Sequence, residues 1–138
     1  MADSLKLDIV TPTGPIASAS GVEVPGVEVP GILGEMGVLP QHVPFVSPLT
    51  AGVVRFRSSD GSVRVAVDRG FVEVSEAGGV VVLANRAVVG EDVDSGEVQS
   101  QLNDIKGQLA AAKDADPGER RALEGEAAWL EAQLRAKA

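Results

Sequence analysis

The chain has 138 residues, a formal net charge of −8, 44% hydrophobic residues and no cysteine. That length accommodates one core with a small appendage, and that apolar content excludes wholesale disorder. The acidity argues against a nucleic-acid binder, which needs a basic patch, and the missing cysteine excludes disulfides, thiolate metal sites and a cysteine nucleophile.

The interior must be aliphatic, because the aromatic residues are only Phe45, Phe56, Phe71 and Trp129. No apolar run reaches bilayer length, and "MADSLKLDIV" lacks a basic region followed by an apolar one, so a soluble or peripheral protein is expected.

Up to Val89 the pattern has the period of strands. "LKLDIV" alternates Leu5, Leu7 and Ile9 against Lys6 and Asp8. The repeat "GVEVPGVEVPG", Gly21 to Gly31, reads as an edge strand or bulged loop, since Pro25 cannot donate a ladder hydrogen bond. "VVRFR" and "SVRVAV" flank a hairpin turn at Ser59-Asp60-Gly61, and "FVEVSEAGGVVVLANRAVV" turns around Ala77-Gly78-Gly79. Strands at this spacing predict an antiparallel β-sandwich or flattened barrel over residues 1–90.

From residue 91 onward the period becomes helical. Asp94 with Glu97 three residues later has capping-box spacing. Val98, Leu102, Ile105, Leu109 and Ala112 then form one apolar stripe at steps of four and three. "KDADPGE" breaks the pattern, with Asp116 placed to cap a second helix and Pro117 suited to its first position. Leu123, Ala127, Leu130 and Leu134 form the second stripe, so residues 91–138 are expected to make an antiparallel two-helix hairpin. Its seam is alanine-rich, and Gly107 and Gly125 each cost about 1 kcal/mol relative to Ala. Such a hairpin needs a host surface, as a moving part or fixed on the sandwich. Trp129 lies off the second stripe and is a candidate to pack on the sandwich or on a partner.

The single histidine, His42, lies in "GEMGVLPQHVPF". Catalysis would need a partner nucleophile or acid that no motif supplies. A metal site would need further soft or imidazole ligands. A glycine-proline turn in which the histidine caps a backbone group is the third reading.

The longer string "PGILGEMGVLPQHVPFVSPLTAGVVR" resembles the signature of the ε subunit of F-type ATP synthases. The matching positions are Pro30, Gly31, Gly34, Glu35, Gly37, Val38, Leu39, Pro40, His42, Pro44 and Gly52. The likeness extends to "LKLDIVTPTGPI" and "DRGFVEVSEAGGVVVLANRAVVGEDVD". Arg69-Gly70 stands where the family commonly has paired glycines, and the duplicated "VEVPG" lengthens the second strand region.

The resemblance implies a non-catalytic rotor subunit of a proton-translocating complex, without a cofactor, at the foot of the central stalk. Its implied partners are the γ subunit, the polar loops of the membrane c-ring and, through the helices, the β subunits. The implied location is the cytoplasmic face of a bacterial inner membrane, peripheral and without insertion. Glu35 and His42, with Met36 and Gln41 beside them, match c-ring-facing positions. Arg120, Arg121, Trp129 and Arg135 are the candidates for regulatory helix contacts, interspersed with acids that equally suit a solvated surface. Some members bind ATP through a motif similar to I/L-D-x-x-R-A. Asp94 matches its aspartate, but Glu97 replaces the arginine and would repel phosphate, so weak or absent ATP binding is expected. The alternative function is a free-standing regulatory or ligand-binding β-sandwich.

Overall fold

The computed structural model describes residues 4–59, 61–112, 114 and 116–138. Eight strands come first: β1 (Leu5–Thr11), β2 (Gly14–Val24), β3 (Val27–Gly31), β4 (Gly34–Val38), β5 (Phe45–Leu49), β6 (Gly52–Ser58), β7 (Gly61–Val74) and β8 (Gly79–Val89). A single 3-10 turn at Gly90–Asp92 leads to α1 (Ser95–Ala111) and α2 (Pro117–Lys137). Strands followed by a helical hairpin are therefore the observed architecture. Asp60 of the expected hairpin turn, and Lys113 and Ala115 of the interhelical break, lie outside the described residues.

The strands run β2-β1-β8-β7-β5-β3-β4, with β6 pairing both β3 and β7. Alternation places Leu5, Leu7, Ile9, Val54, Phe56, Val65, Val67, Val72 and Val82 in one aliphatic core, as period-two patterning requires. The sequence reading needs correction in three places. First, the sandwich is not wholly antiparallel, because β1 pairs β8 in parallel, Lys6 opposite Gly79 through Val10 opposite Leu83. A parallel pair needs a long crossover rather than a tight turn, and the whole sandwich lies between these two strands.

Second, "SVRVAV" and "FVEV" belong to one strand. β7 pairs β6 from Gly61 to Val67 and β5 from Gly70 to Val74, while β8 follows both segments. The partner changes at Asp68-Arg69-Gly70, where Arg69 has φ 45° and Gly70 φ 146°. A Cβ at Gly70 would lie 1.8 Å from the Leu83 carbonyl oxygen, so only glycine lets β8 approach there. Third, the "GVEVP" repeat is not one edge element. Its first copy ends β2 against β1, its second forms β3 against β4 and β6, and Pro25 sits at the break between them.

The helices form as their caps direct. Asp94 Oδ1 accepts from the Glu97 backbone N–H at 3.1 Å, and Asp116 Oδ2 accepts from the Gly118 N–H at 3.0 Å with Pro117 in the first turn. Val98, Leu102, Ala127 and Leu130 close the seam between the helices, joined by Val93, Ile105, Leu109 and Leu134.

α2 also has a second buried face, which the single-stripe reading did not contain. Trp129, Ala132 and Ala136 lie against Val53, Ala66 and Val88 on the outer surface of β6, β7 and β8. Spacings of three and seven place these three residues on one side of the helix. The small alanines bring the helix close to the strands. At its end, a Cβ on Gly90 would lie 2.2 Å from the Ala136 carbonyl oxygen. The hairpin is thus seated on the sandwich, which is the host surface it requires.

Candidate interaction sites

Two regions concentrate the residues of interest: the Gly31–Pro44 rim and the junction between sandwich and hairpin. In the rim, β3 and β4 form a hairpin with Gly31 opposite Gly34. Glu35 points outward on β4 and forms an ion pair with Arg55, which reaches over from β6. Both groups are solvated, so the pair contributes at most about 1 kcal/mol. Met36 points the other way, half-buried against the core, and does not share a surface with Glu35.

After β4 the chain turns at Leu39-Pro40-Gln41-His42. The His42 N–H donates to the Leu39 carbonyl at 3.1 Å, and Gln41 sits at φ 70°. Proline followed by a positive φ is the type II turn pattern. The His42 Nδ1–H donates to the Val43 carbonyl at 2.9 Å, and the ring lies tilted on Phe45 at 5.0 Å between centroids. His42 therefore anchors the turn, the third of its readings, while remaining exposed with Gln41. Among the described residues, no group of three or more His, Asp or Glu side chains is arranged to hold a metal ion.

Sequence reasoning missed the apolar residues around this rim. Ile32, Leu33, Leu39 and Val43 are exposed beside Glu35 and His42, and Val46, Phe71 and Leu83 are exposed on β5, β7 and β8. Phe71 stands directly opposite Leu83. Exposed large apolar side chains grouped in this way mark surfaces for macromolecular partners. The available signal was the odd positions of Phe71 and Leu83, whose even neighbours supply the core.

At the junction, Arg86 on β8 donates through Nε to Asp68 Oδ2 at 2.9 Å and through Nη2 to Glu126 Oε2 of α2 at 2.8 Å. Its guanidinium lies 5.0 Å from the centroid of the Trp129 ring. Arg69 Nε donates to the other Asp68 oxygen at 3.2 Å. Asp68 is only 2% exposed, so the two arginines supply the pairing a buried carboxylate requires. The hydrogen bond that Arg86 donates to Glu126 is the main influence raising the Arg86 pKa; desolvation opposes it and Asp68 adds to it. Lys137 Nζ also donates to the Glu91 carbonyl at 3.2 Å, tying the end of α2 to the interdomain turn.

Trp129 is thus 5% exposed and packs on the sandwich. The other helix candidates face outward. Arg120 pairs loosely with Glu124 one turn on, and Arg121 donates to the Pro117 carbonyl. Arg135 is exposed and has no ion pair among the described residues. Asp94 serves as a helix cap, and Glu97, in the same first turn, is exposed.

The comparisons with known proteins agree with this architecture. Residues 4–90 match the family model described as ATP synthase, Delta/Epsilon chain, beta-sandwich domain. The ATP synthase epsilon chain of Carboxydothermus hydrogenoformans is 37% identical over 110 residues, spanning 80% of this chain and 79% of its own. That of Bacillus subtilis is 35% identical over 111 residues, spanning 80% and 81%. Among solved structures, a chain of the Euglena gracilis mitochondrial ATP synthase, OSCP/F1/c-ring assembly, superposes with a TM-score of 0.83 at 21% identity. It covers 100% of this chain and 84% of that one, and it shows the shared fold. With residues 4–90 matching the family's sandwich model and these relatives aligned over 80% of the chain, the chain belongs to the ATP synthase epsilon chain family.

Proposed function

We propose that the chain is a non-catalytic central-stalk subunit of a proton-translocating ATP synthase, coupling rotation of the c-ring to ATP synthesis. The match of residues 4–90 to the family's sandwich carries this reading. The exposed rim of Glu35, Gln41 and His42, flanked by Leu33, Leu39 and Val43, is suited to the polar loops of the ring. The hydrogen-bonded turn holds that rim in one shape without help from the partner. The apolar face of Val46, Phe71 and Leu83 is suited to the γ subunit. An acidic sandwich meeting a more basic partner gains association rate and specificity more than affinity. No described helix is long and apolar enough to cross a membrane, and the chain is assigned a peripheral position at the bacterial inner membrane through its partners.

The two helices constitute the regulatory part, with Arg120, Arg121 and Arg135 available to acidic segments of the β subunits once the hairpin leaves the sandwich. Reconstituted complex with and without this chain tests the coupling reading. Omission abolishes ATP-driven proton pumping and add-back restores it. Pumping that persists without the chain refutes the assignment. A version ending after Asp94 tests the helices separately. A severalfold rise in hydrolysis with pumping retained makes the hairpin a brake, and unchanged hydrolysis removes that role.

A further inference from the structure

We infer that the outward face of β3, β4, β6 and β7 beyond the end of α2, carrying Arg55, Arg57 and Arg64, is a docking groove for an acidic peptide segment of another protein. It is a property of the free chain, so it stands or falls apart from the rotor reading.

Alternation sets the groove. Val54 and Phe56 of β6, and Val63 and Val65 of β7, turn toward the aliphatic core, so Arg55, Arg57, Ser62 and Arg64 turn outward. Val53 and Ala66 share that outward face and lie under α2. The helix ends beside Arg64: a Cβ on Gly90 would lie 2.2 Å from the Ala136 carbonyl oxygen and 3.2 Å from the Arg64 carbonyl oxygen. Past that point one row crosses four strands, with Gly37 opposite Glu28, Glu28 opposite Arg55, and Arg55 opposite Arg64. A Cβ on Gly37 would meet nothing within 4 Å, so the row ends open. The groove over it has a volume of about 730 Å³, and no helix residue lines it.

The charges point to a carboxylate-bearing occupant. Like charges directly opposite on neighbouring strands weaken a sheet, and Arg55 with Arg64 is such a pair. Arg55 is relieved by its ion pair with Glu35. Arg57, opposite Ser62 and diagonal to Arg64, brings in a third guanidinium. Arg57 and Arg64 are exposed, and neither has an ion pair among the described residues. Arg69 and Arg86 are engaged by Asp68, so apart from Lys6 every remaining sandwich cation is gathered here, in a chain of net charge −8. Folding leaves the repulsion unrelieved at Arg57 and Arg64. A carboxylate from outside relieves it as Glu35 does at Arg55, and the planar guanidinium accepts it in a two-bond fork.

Apolar lining sets the class of partner. Pro25, Leu39 and Val63 border the groove with the arginines, and Leu39 is 65% exposed. A small inorganic anion leaves that lining bare, whereas a peptide mixing acidic and apolar residues covers both. Four strands at ~4.8 Å spacing span about 14 Å, which an extended peptide crosses in about four residues. Shape disfavours a lipid surface: α2 rises roughly 10 Å above the sheet beside Arg64, so a flat bilayer meets the helix before the arginines.

A fluorescein-labelled decapeptide of alternating glutamate and valine is the probe, read by fluorescence anisotropy on the full chain. It should bind more tightly than its glutamate–serine counterpart and weaken as sodium chloride rises from about 0.05 to 0.3 M. Arg57→Thr and Arg64→Thr should each weaken it about threefold to fivefold, the upper figure equivalent to ~1 kcal/mol. Lys106→Gln, which removes an exposed cation of α1, should leave binding unchanged. Arg64→Thr should also hold or raise the melting temperature, because it removes a repulsive pair. A cation serving the C-terminal end of α2 gives the opposite sign, so a lower melting temperature overturns the part assigned to Arg64. Absence of peptide binding, binding indifferent to Arg57 and Arg64, or equal loss with Lys106→Gln overturns the groove. Arginine-dependent sedimentation with phosphatidylglycerol vesicles, or arginine-dependent binding of pyrophosphate, in the absence of peptide binding overturns it equally, in favour of lipid or of a small anion.

Discussion

Trp129→Ala tests the separability of the two parts most directly. Trp129 is the large apolar side chain of α2 in the patch on β6, β7 and β8, and its neighbours on the helix there are Ala132 and Ala136. Truncating a buried tryptophan costs about 3–5 kcal/mol, and losing the ring beneath Arg86 removes about 0.5–1 kcal/mol more. Helix propensity moves the opposite way by a few tenths of a kcal/mol, since alanine is the better helix former. The net loss, at least about 3 kcal/mol, corresponds to an undocking constant raised at least a hundredfold. The interhelical seam of Leu102, Ala127 and Leu130 is not touched by the substitution. Hydrogen exchange read by mass spectrometry resolves the outcome by segment. Peptides from α2 should lose protection by about two orders of magnitude, whereas β1, β7 and β8 should keep theirs. Equal loss across helices and strands would refute the reasoning by showing one cooperative unit. Unchanged protection in α2 would show that Trp129 does not hold the junction.

Other substitutions probe single links in the chain from sequence to fold. Asp94→Ala removes the acceptor of the Glu97 N–H and should destabilise α1 by about 1 kcal/mol, seen as reduced helical circular dichroism on warming. Gly70→Ala meets the Leu83 carbonyl and should lower the melting temperature by about 10 °C or more, or prevent folding; a wild-type melting curve would contradict the close approach. Calorimetric titration with ATP should give no micromolar binding, because Asp94 is engaged as a cap and Glu97 presents a negative charge in the same turn. A micromolar affinity would show that phosphate is recognised elsewhere at the junction.

Local and periodic features were legible without the structure. Period two up to Val89, period 3.6 after Asp94, the caps at Asp94 and Asp116 and the stripe from Val98 to Leu109 arise from neighbours within a few residues. The density of matching positions from Pro30 to Gly52 also identified the family. His42 was only partly legible, because its three roles differ in what lies around the ring, and the Val43 carbonyl and Phe45 decide among them.

Tertiary structure decided what depends on distant partners. The parallel pairing of β1 with β8 and the change of partner along β7 follow from sheet closure, which alternation does not encode. The second face of α2 was signalled by Trp129 alone, because its companions Ala132 and Ala136 carry no strong hydrophobic signal. They matter through the close approach they permit. Arg86 and Glu126 stand forty residues apart, each an ordinary surface charge until folding brings them together over Trp129. The sequence by itself therefore determined the elements and the family. Three-dimensional packing determined where the hairpin rests and which charges hold it, because those are contacts between surfaces rather than properties of either segment.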